Sequence, residues 1–169
     1  MTNDKDYLYS PWRLSYVSAV KEPGCVLCRH QETDKDMEHL IVHRAKYCYV
    51  MQNLYPYNNG HIMVVPYLHR SSLSELPAEV LHEIMEVLEL GERVLKAVYH
   101  CEGINVGLNL GAAAGAGISE HLHFHMVPRW KGDSNFMSVI NGERVIPEAF
   151  ESSYARLREG FANLRTDKE

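Results

Sequence analysis

The sequence predicts an α+β domain: an antiparallel sheet of about five strands, one long helix and helices at the termini. Three observations predict it. Short runs rich in β-formers recur between turn signals, and Asn58-Asn59-Gly60 is a strong turn between two of them, as in a β-meander. One stretch from Pro77 to about His100 repeats its apolar residues at helical spacing.

Taken in order, residues 1–24 mix Tyr7, Tyr9, Trp12 and Tyr16 with polar residues and read as an ordered N-terminal arm with a short helix. Glu22-Pro23-Gly24 is a turn, and the charged run Arg29 to Glu38 reads as a loop. His39–His43 and Tyr47–Gln52 read as strands, and His61–Val65 as a third, ended by Pro66. Pro77 suits the first turn of a helix, where its missing N–H costs nothing. Val80, Leu81, Ile84, Val87, Leu88, Leu95 and Val98 then form one apolar face, and Gly91 permits close packing. Ile104–Leu110 and His121–Val127 are the last strands, joined by the small-residue loop Gly111 to Gly117. Residues 147–169 make a C-terminal helix and tail, the helix starting at Pro147. The absence of repeats and linkers makes 1–169 a single domain.

Composition narrows the function. Hydrophobic residues make up 46% and charged residues 23%, which suits a soluble globular chain. No run approaches the roughly eighteen apolar residues of a membrane span, and Met1 to Ser10 lacks a signal-peptide core. A cytoplasmic protein without a membrane partner is expected. The net charge of −5 and the lack of a basic patch argue against a nucleic-acid footprint. An anionic ligand would have to be held by local groups: backbone amides, histidines and a few Arg or Lys.

The histidines are placed to do this. In a strand, side chains alternate with a period of two, so His121, His123 and His125 share one face while Leu122, Phe124 and Met126 share the other. Three imidazoles in a row suit two chemistries. They can bind a metal, or one nitrogen can attack phosphorus while its neighbours stabilise charge. Gly111, Gly115 and Gly117 precede them and let the chain aim amides at a phosphate. Arg129 and Lys131, just beyond, are further sources of positive charge or simply a solvated strand end. Cys25-Val-Leu-Cys28 is one half of a metal site or a redox pair. His69, His121, His30, His39 and His43 are candidates to complete it. Cys48 and Cys101 read as buried small residues, and His82 and His100 as helix-surface residues.

The H-x-H-x-H-x-x-P pattern from His121 to Pro128, with the strand Gly60 to Pro66 upstream, resembles the histidine-triad (HIT) superfamily. The likeness covers roughly Cys25 to Asn135. The segments Asn53 to His61 and Asn109 to Phe136 look most like its bacterial diadenosine tetraphosphate phosphorylase branch. The resemblance implies a HIT-like fold and a homodimer. It implies His123 as nucleophile, with His125 and His61 completing the phosphate cluster. It places Asn53 at the ribose, and Asn109 at phosphate or against an imidazole. It sets Gly115, Ala116, Gly117 and Ile118 in the phosphate loop. It also implies a structural Zn²⁺ on Cys25, Cys28, His69 and His121, and no organic cofactor.

The implied activity is cleavage of a dinucleoside polyphosphate at its α-phosphate through a nucleotidyl-histidine, with AMP or ADP as the freed nucleotide. The alternatives are a nucleoside phosphoramidase and a non-catalytic nucleotide-binding regulator. Many members of the superfamily carry Gln then Ser or Thr where this chain has Gly117 and Ile118. The side chains that would hold a leaving-group oxygen are therefore missing, which weighs towards phosphorolysis over hydrolysis.

Overall fold

The computed structural model describes residues 24–133 and 149–165. The N-terminal arm to residue 23, Trp12 and the Pro147 helix start lie outside these residues. Five strands form one antiparallel sheet: β1 (Ile41–Arg44), β2 (Cys48–Gln52), β3 (Ile62–Pro66), β4 (Gly103–Leu108) and β5 (Phe124–Arg129), in the order β1-β2-β3-β5-β4. The helices are α1 (Val26–Gln31), α2 (Ala78–Tyr99) and α3 (Phe150–Arg165). The α+β architecture is the one expected.

The departures have local causes. The run Arg29 to Glu38 is not all loop, because α1 carries the chain through Gln31. Leu27 alone is buried in that helix, so six residues give no readable amphipathic pattern. Strand β1 starts at Ile41 rather than His39, since Leu40 has a φ of 57° and breaks the extended run. Strand β4 stops at Leu108, and β5 starts at Phe124 rather than His121.

Strands β2 and β3 are buried at every position, and their alternate residues feed two separate cores. Val50, Ile62 and Val64 face α2 and α3, with Ile84, Val94, Leu95, Leu157 and Phe161. Tyr49, Met51, Met63 and Val65 face the other way, onto Leu27 of α1. On β5, Phe124 and Met126 join the helix side, whereas His125 pairs with Met63 and lies on the α1 side. The helix α2 approaches β5 closely at Gly91, where a Cβ would meet Met126 Sδ at 2.8 Å. Pro77 is its N-cap and His100 its left-handed C-cap. Among the described residues, no helix is long and apolar enough to cross a membrane.

Candidate active site and metal centre

Upstream of its last ladder pair with β3, Val64 with Phe124, the chain leaves the sheet through a bend at His121, and this segment carries His121 and His123. His121 and His61 are fully buried, His123 is 8% exposed, and His125 is half-buried. Each ring is fixed by a named partner, and the partners assign its protons. The carbonyl of His121 can only accept, so the Nδ1–H of His123 donates to it at 2.9 Å. The Nε2 of His123 is then a bare lone pair, with no hydrogen-bond partner among the described residues. Likewise His121 donates its Nε2–H to the Pro66 carbonyl at 2.9 Å, which leaves its Nδ1 as a lone pair.

A third chain of bonds orders His125. The backbone N–H of Tyr57 donates to Nδ1 of His61 at 3.0 Å. His61 therefore carries its proton on Nε2 and donates it to Nδ1 of His125, also at 3.0 Å. The free ring nitrogen of His125 is consequently an N–H donor. The His123 and His125 rings meet edge to face with centroids 4.9 Å apart, so a lone pair and a donor sit side by side.

Electrostatics keep these rings neutral near pH 7. Burial, then the neighbouring His125 and His123, push His61 down to about 3. Burial and His123 push His125 down to about 4, and burial lowers His123 as well. A neutral imidazole with an open Nε2 is a nucleophile that needs no strong base.

Cys25, Cys28, His69 and His121 converge at the other end of the histidine row, their ligand atoms all within 4.8 Å of one another. His121 Nδ1 lies 3.3 Å from Cys25 Sγ and 3.4 Å from Cys28 Sγ, and His69 Nδ1 lies 3.2 Å from Cys28 Sγ. A tetrahedral zinc ion with bonds of ~2.0–2.3 Å spaces its ligands about 3.3–3.8 Å apart. Two sulfurs and two imidazole nitrogens gathered this closely are the donor set of a tetrahedral zinc site, so this group can bind a metal. Without one, burial and Cys25 push the Cys28 thiol up to about 11. Of the other candidate ligands, His30 stacks on His39, and His43 stacks on Phe161.

The remaining expected residues divide. Asn53 uses its Oδ1 to close a turn onto the Tyr55 N–H at 3.0 Å, and its Nδ2 lies 3.4 Å from both His61 nitrogens. Asn109 lies just past β4, where continuing the register that pairs Gly107 with His125 sets it opposite His123. Two loop amides expected to hold phosphate are turned inward. Gly115 donates to Ala112 at 3.0 Å, and Ala116 reaches Gly111 at 3.4 Å, closing a tight turn around Ala112–Ala114. Gly117 follows that turn, and the Ile118 side chain packs on the α1-side core. Arg129 is held by Asp133 at 2.6 and 2.8 Å, and the Lys131 side chain is 93% exposed, so neither reaches the histidines.

Tyr57 was not among the expected residues. Its ring stacks on His61 with centroids 5.0 Å apart, and its amide sets that ring's proton. A backbone donor leaves no mark in a single sequence.

The HIT domain family profile matches residues 34–132. An AP-4-A phosphorylase from Mycobacterium tuberculosis is 42% identical over 149 residues, covering 83% of this chain and 76% of that one. A bis(5'-adenosyl)-triphosphatase from Saccharomyces cerevisiae is 34% identical over 92 residues, covering 54% and 44%. A zinc-bound histidine triad family protein from Mycobacterium smegmatis superposes with a TM-score of 0.71 at 26% identity, over 86% of this chain and 98% of that one. On the profile match, the long alignment and the shared fold, the chain belongs to the HIT domain family.

Proposed function

We propose that the chain cleaves dinucleoside polyphosphates of the diadenosine tetraphosphate type at the α-phosphate, through a nucleotidyl-histidine on His123, with phosphate rather than water as the second acceptor. The observation that carries the reading is the open Nε2 of His123 beside the N–H donor of His125. The 42% identity to an AP-4-A phosphorylase supports the substrate class.

In the first step the Nε2 lone pair forms a bond to the α-phosphorus, and the P–O bond to the remaining phosphate chain breaks. From diadenosine tetraphosphate the leaving group is ATP, and AMP stays on His123. The electron pair goes out with the leaving oxygen, while the His125 N–H meets charge on the transferred phosphoryl. In the second step an oxygen of inorganic phosphate attacks the same phosphorus, the P–N bond breaks and ADP departs. Asn53 is read as the ribose contact and Asn109 as a polar contact on the phosphate side. Of the loop, the Gly117–Ile118 stretch remains the candidate phosphate contact, since the Gly115 and Ala116 amides are turned inward.

Zn²⁺ on Cys25, Cys28, His69 and His121 would supply a structural tie between α1, the loop after β3 and the histidine segment. The rest of the reading is one domain over 1–169 working as a homodimer. The strand β4 is an open sheet edge with Val106 52% exposed, and Leu110, just past its end, is 46% exposed, which suits pairing with a second copy. Sedimentation at the monomer mass would remove the dimer from the reading. The free thiols of Cys25, Cys28, Cys48 and Cys101 suit a reducing compartment such as the cytoplasm.

Incubation with diadenosine tetraphosphate, with and without inorganic phosphate, tests the reaction. ADP plus ATP, formed only with phosphate, is expected. AMP plus ATP without phosphate would convert the reading to a hydrolase. Turnover of an AMP-amine alone would convert it to a phosphoramidase, and AMP binding without any turnover to a regulator. His123→Asn should abolish turnover and leave AMP affinity within a few-fold; retained turnover sinks the assigned nucleophile.

A further inference from the structure

The two clusters on the histidine row share one residue. His121 offers its Nδ1 to the cysteines, and its own carbonyl holds the Nδ1–H of His123. That carbonyl sits on a segment without sheet support. The ladder between β3 and β5 ends at Val64 and Phe124, so residues 121–123 are not held by strand pairing.

Among the described residues, three polar contacts and the packing of Leu122 into the helix-side core hold this segment instead. The His121 Nε2–H donates to Pro66, the Leu122 N–H donates to the Arg70 carbonyl at 2.7 Å, and the third contact is the Cys25–Cys28–His69 cluster itself. Arg70 adjoins His69, so the second contact leads back to the same loop. That loop is braced in turn by Glu75, whose carboxylate accepts from the Ser71 and Ser72 amides at 3.0 and 2.9 Å.

We infer that a metal ion on Cys25, Cys28, His69 and His121 positions the nucleophile: it fixes His121, and the His121 carbonyl keeps the proton of His123 on Nδ1 and its lone pair on Nε2. His121 is a positioning residue in this scheme, and the centre does more than staple α1 to the sheet. When the ion is removed, the His121 ring loses its Nδ1 anchor, the 121–123 segment loosens, and His123 loses the acceptor that selects one tautomer. A wrong tautomer puts the proton on the attacking nitrogen, so the chemical step slows while nucleotide binding persists. A metal's supporting shell commonly changes activity by about 10–100-fold.

The catalytic consequence rests on the reading of His123 as nucleophile, whereas the tautomer does not. The full-length chain is compared in three forms: loaded with Zn²⁺, chelated with metal content checked, and as the His69→Ala variant, which removes the exposed corner of the cluster. Nitrogen-15 NMR of the imidazoles reads the His123 tautomer, far-UV circular dichroism reads the fold, and phosphorolysis of diadenosine tetraphosphate gives kcat and KM. The loaded protein should hold His123 in the single Nδ1–H form. Chelated and His69→Ala samples should stay folded, show mixed tautomers and lose about tenfold or more in kcat, with KM within about twofold. Zn²⁺-loaded His69→Cys, which restores four ligands, should recover both.

An unchanged tautomer in a folded, metal-free sample overturns the inference. So does a tenfold fall in kcat without a tautomer change, or unfolding of both metal-poor samples, which would assign the cluster to the fold alone. A tautomer that follows the metal in a protein without turnover upholds the positioning and sinks the proposed reaction instead.

Discussion

The Nε2–H of His61 donates to Nδ1 of His125 across 3.0 Å, joining two rings that lie 64 residues apart in the chain. Because the Tyr57 amide already occupies the other nitrogen of His61, the direction of that bond is fixed, and so is the free N–H of His125. A backbone amide at the end of one turn thus determines the tautomer of a distant imidazole.

Replacing His61 by Phe keeps a ring of similar shape in the buried site but removes this bond. His125 can then take either tautomer, and in one of them the nitrogen proposed to meet phosphate is a lone pair that repels an anionic oxygen. The expected result is a kcat for diadenosine tetraphosphate lowered about 10–100-fold, with AMP affinity nearly unchanged. Steady-state kinetics beside AMP titration checks it, and an unaltered kcat would remove His61 from the mechanism.

The same rings make stability depend on pH. His61 and His125 are held down to about 3 and about 4, mainly by burial, whereas in the unfolded chain they titrate near the ordinary value of 6.5. Between roughly pH 4 and 6.5 the unfolded chain therefore binds protons that the folded chain refuses. Stability should rise with pH across this window, by at most ~1.4 kcal/mol per pH unit for each ring. Above about 6.5 both states are neutral at these rings and the slope from them vanishes. Melting curves from pH 4 to 8 read it directly. A flat profile below pH 6 contradicts the burial argument, and His61→Phe should shallow the slope by one ring's share.

Much of this was readable in the chain, and the parts that were not share a cause. The alternation of Leu122, Phe124 and Met126 with the histidines follows from a two-residue period, and the structure keeps it although the ladder starts only at Phe124. The long helix follows from its apolar face. The Cys25, Cys28, His69 and His121 group follows from a resemblance rather than from spacing, since 93 residues separate Cys28 from His121. What escaped reading depends on backbone groups. The inward Gly115 and Ala116 amides, the Tyr57 N–H and the Pro66 and His121 carbonyls are chemically identical to every other peptide group, and only the folded chain aims them.

Gly60, the residue before His61, tests how rigid that turn must be. Its φ is +70°, where a side chain is strained, and a Cβ there would lie 2.5 Å from Cε2 of Tyr99. The Tyr99 ring is poorly placed to move away, because its hydroxyl is hydrogen-bonded to Ser153 Oγ at 2.6 Å. Gly60→Ala should therefore cost about 2–4 kcal/mol, combining backbone strain with overpacking. Urea denaturation midpoints measure the loss, and a cost below about 1 kcal/mol would mean that the turn relaxes.

Glu83 lies on α2 between the apolar positions Val80 and Ile84, and the fold uses its charge to hold a turn. Its carboxylate accepts from the backbone N–H groups of Lys46, Tyr47 and Cys48, which anchors the β1–β2 turn to the helix. Bonds to an ionised acceptor are worth more than neutral ones, and removal would leave three amides seeking partners at a half-buried turn. Glu83→Ala should destabilise the protein by about 2–3 kcal/mol, and Glu83→Gln, with one carbonyl left to accept, by about half as much. Since the turn lies at the far end of β2 from Asn53, kcat at 25 °C should hold in the folded fraction of both variants. Equal losses for Ala and Gln would assign the effect to the charge alone rather than to the three bonds.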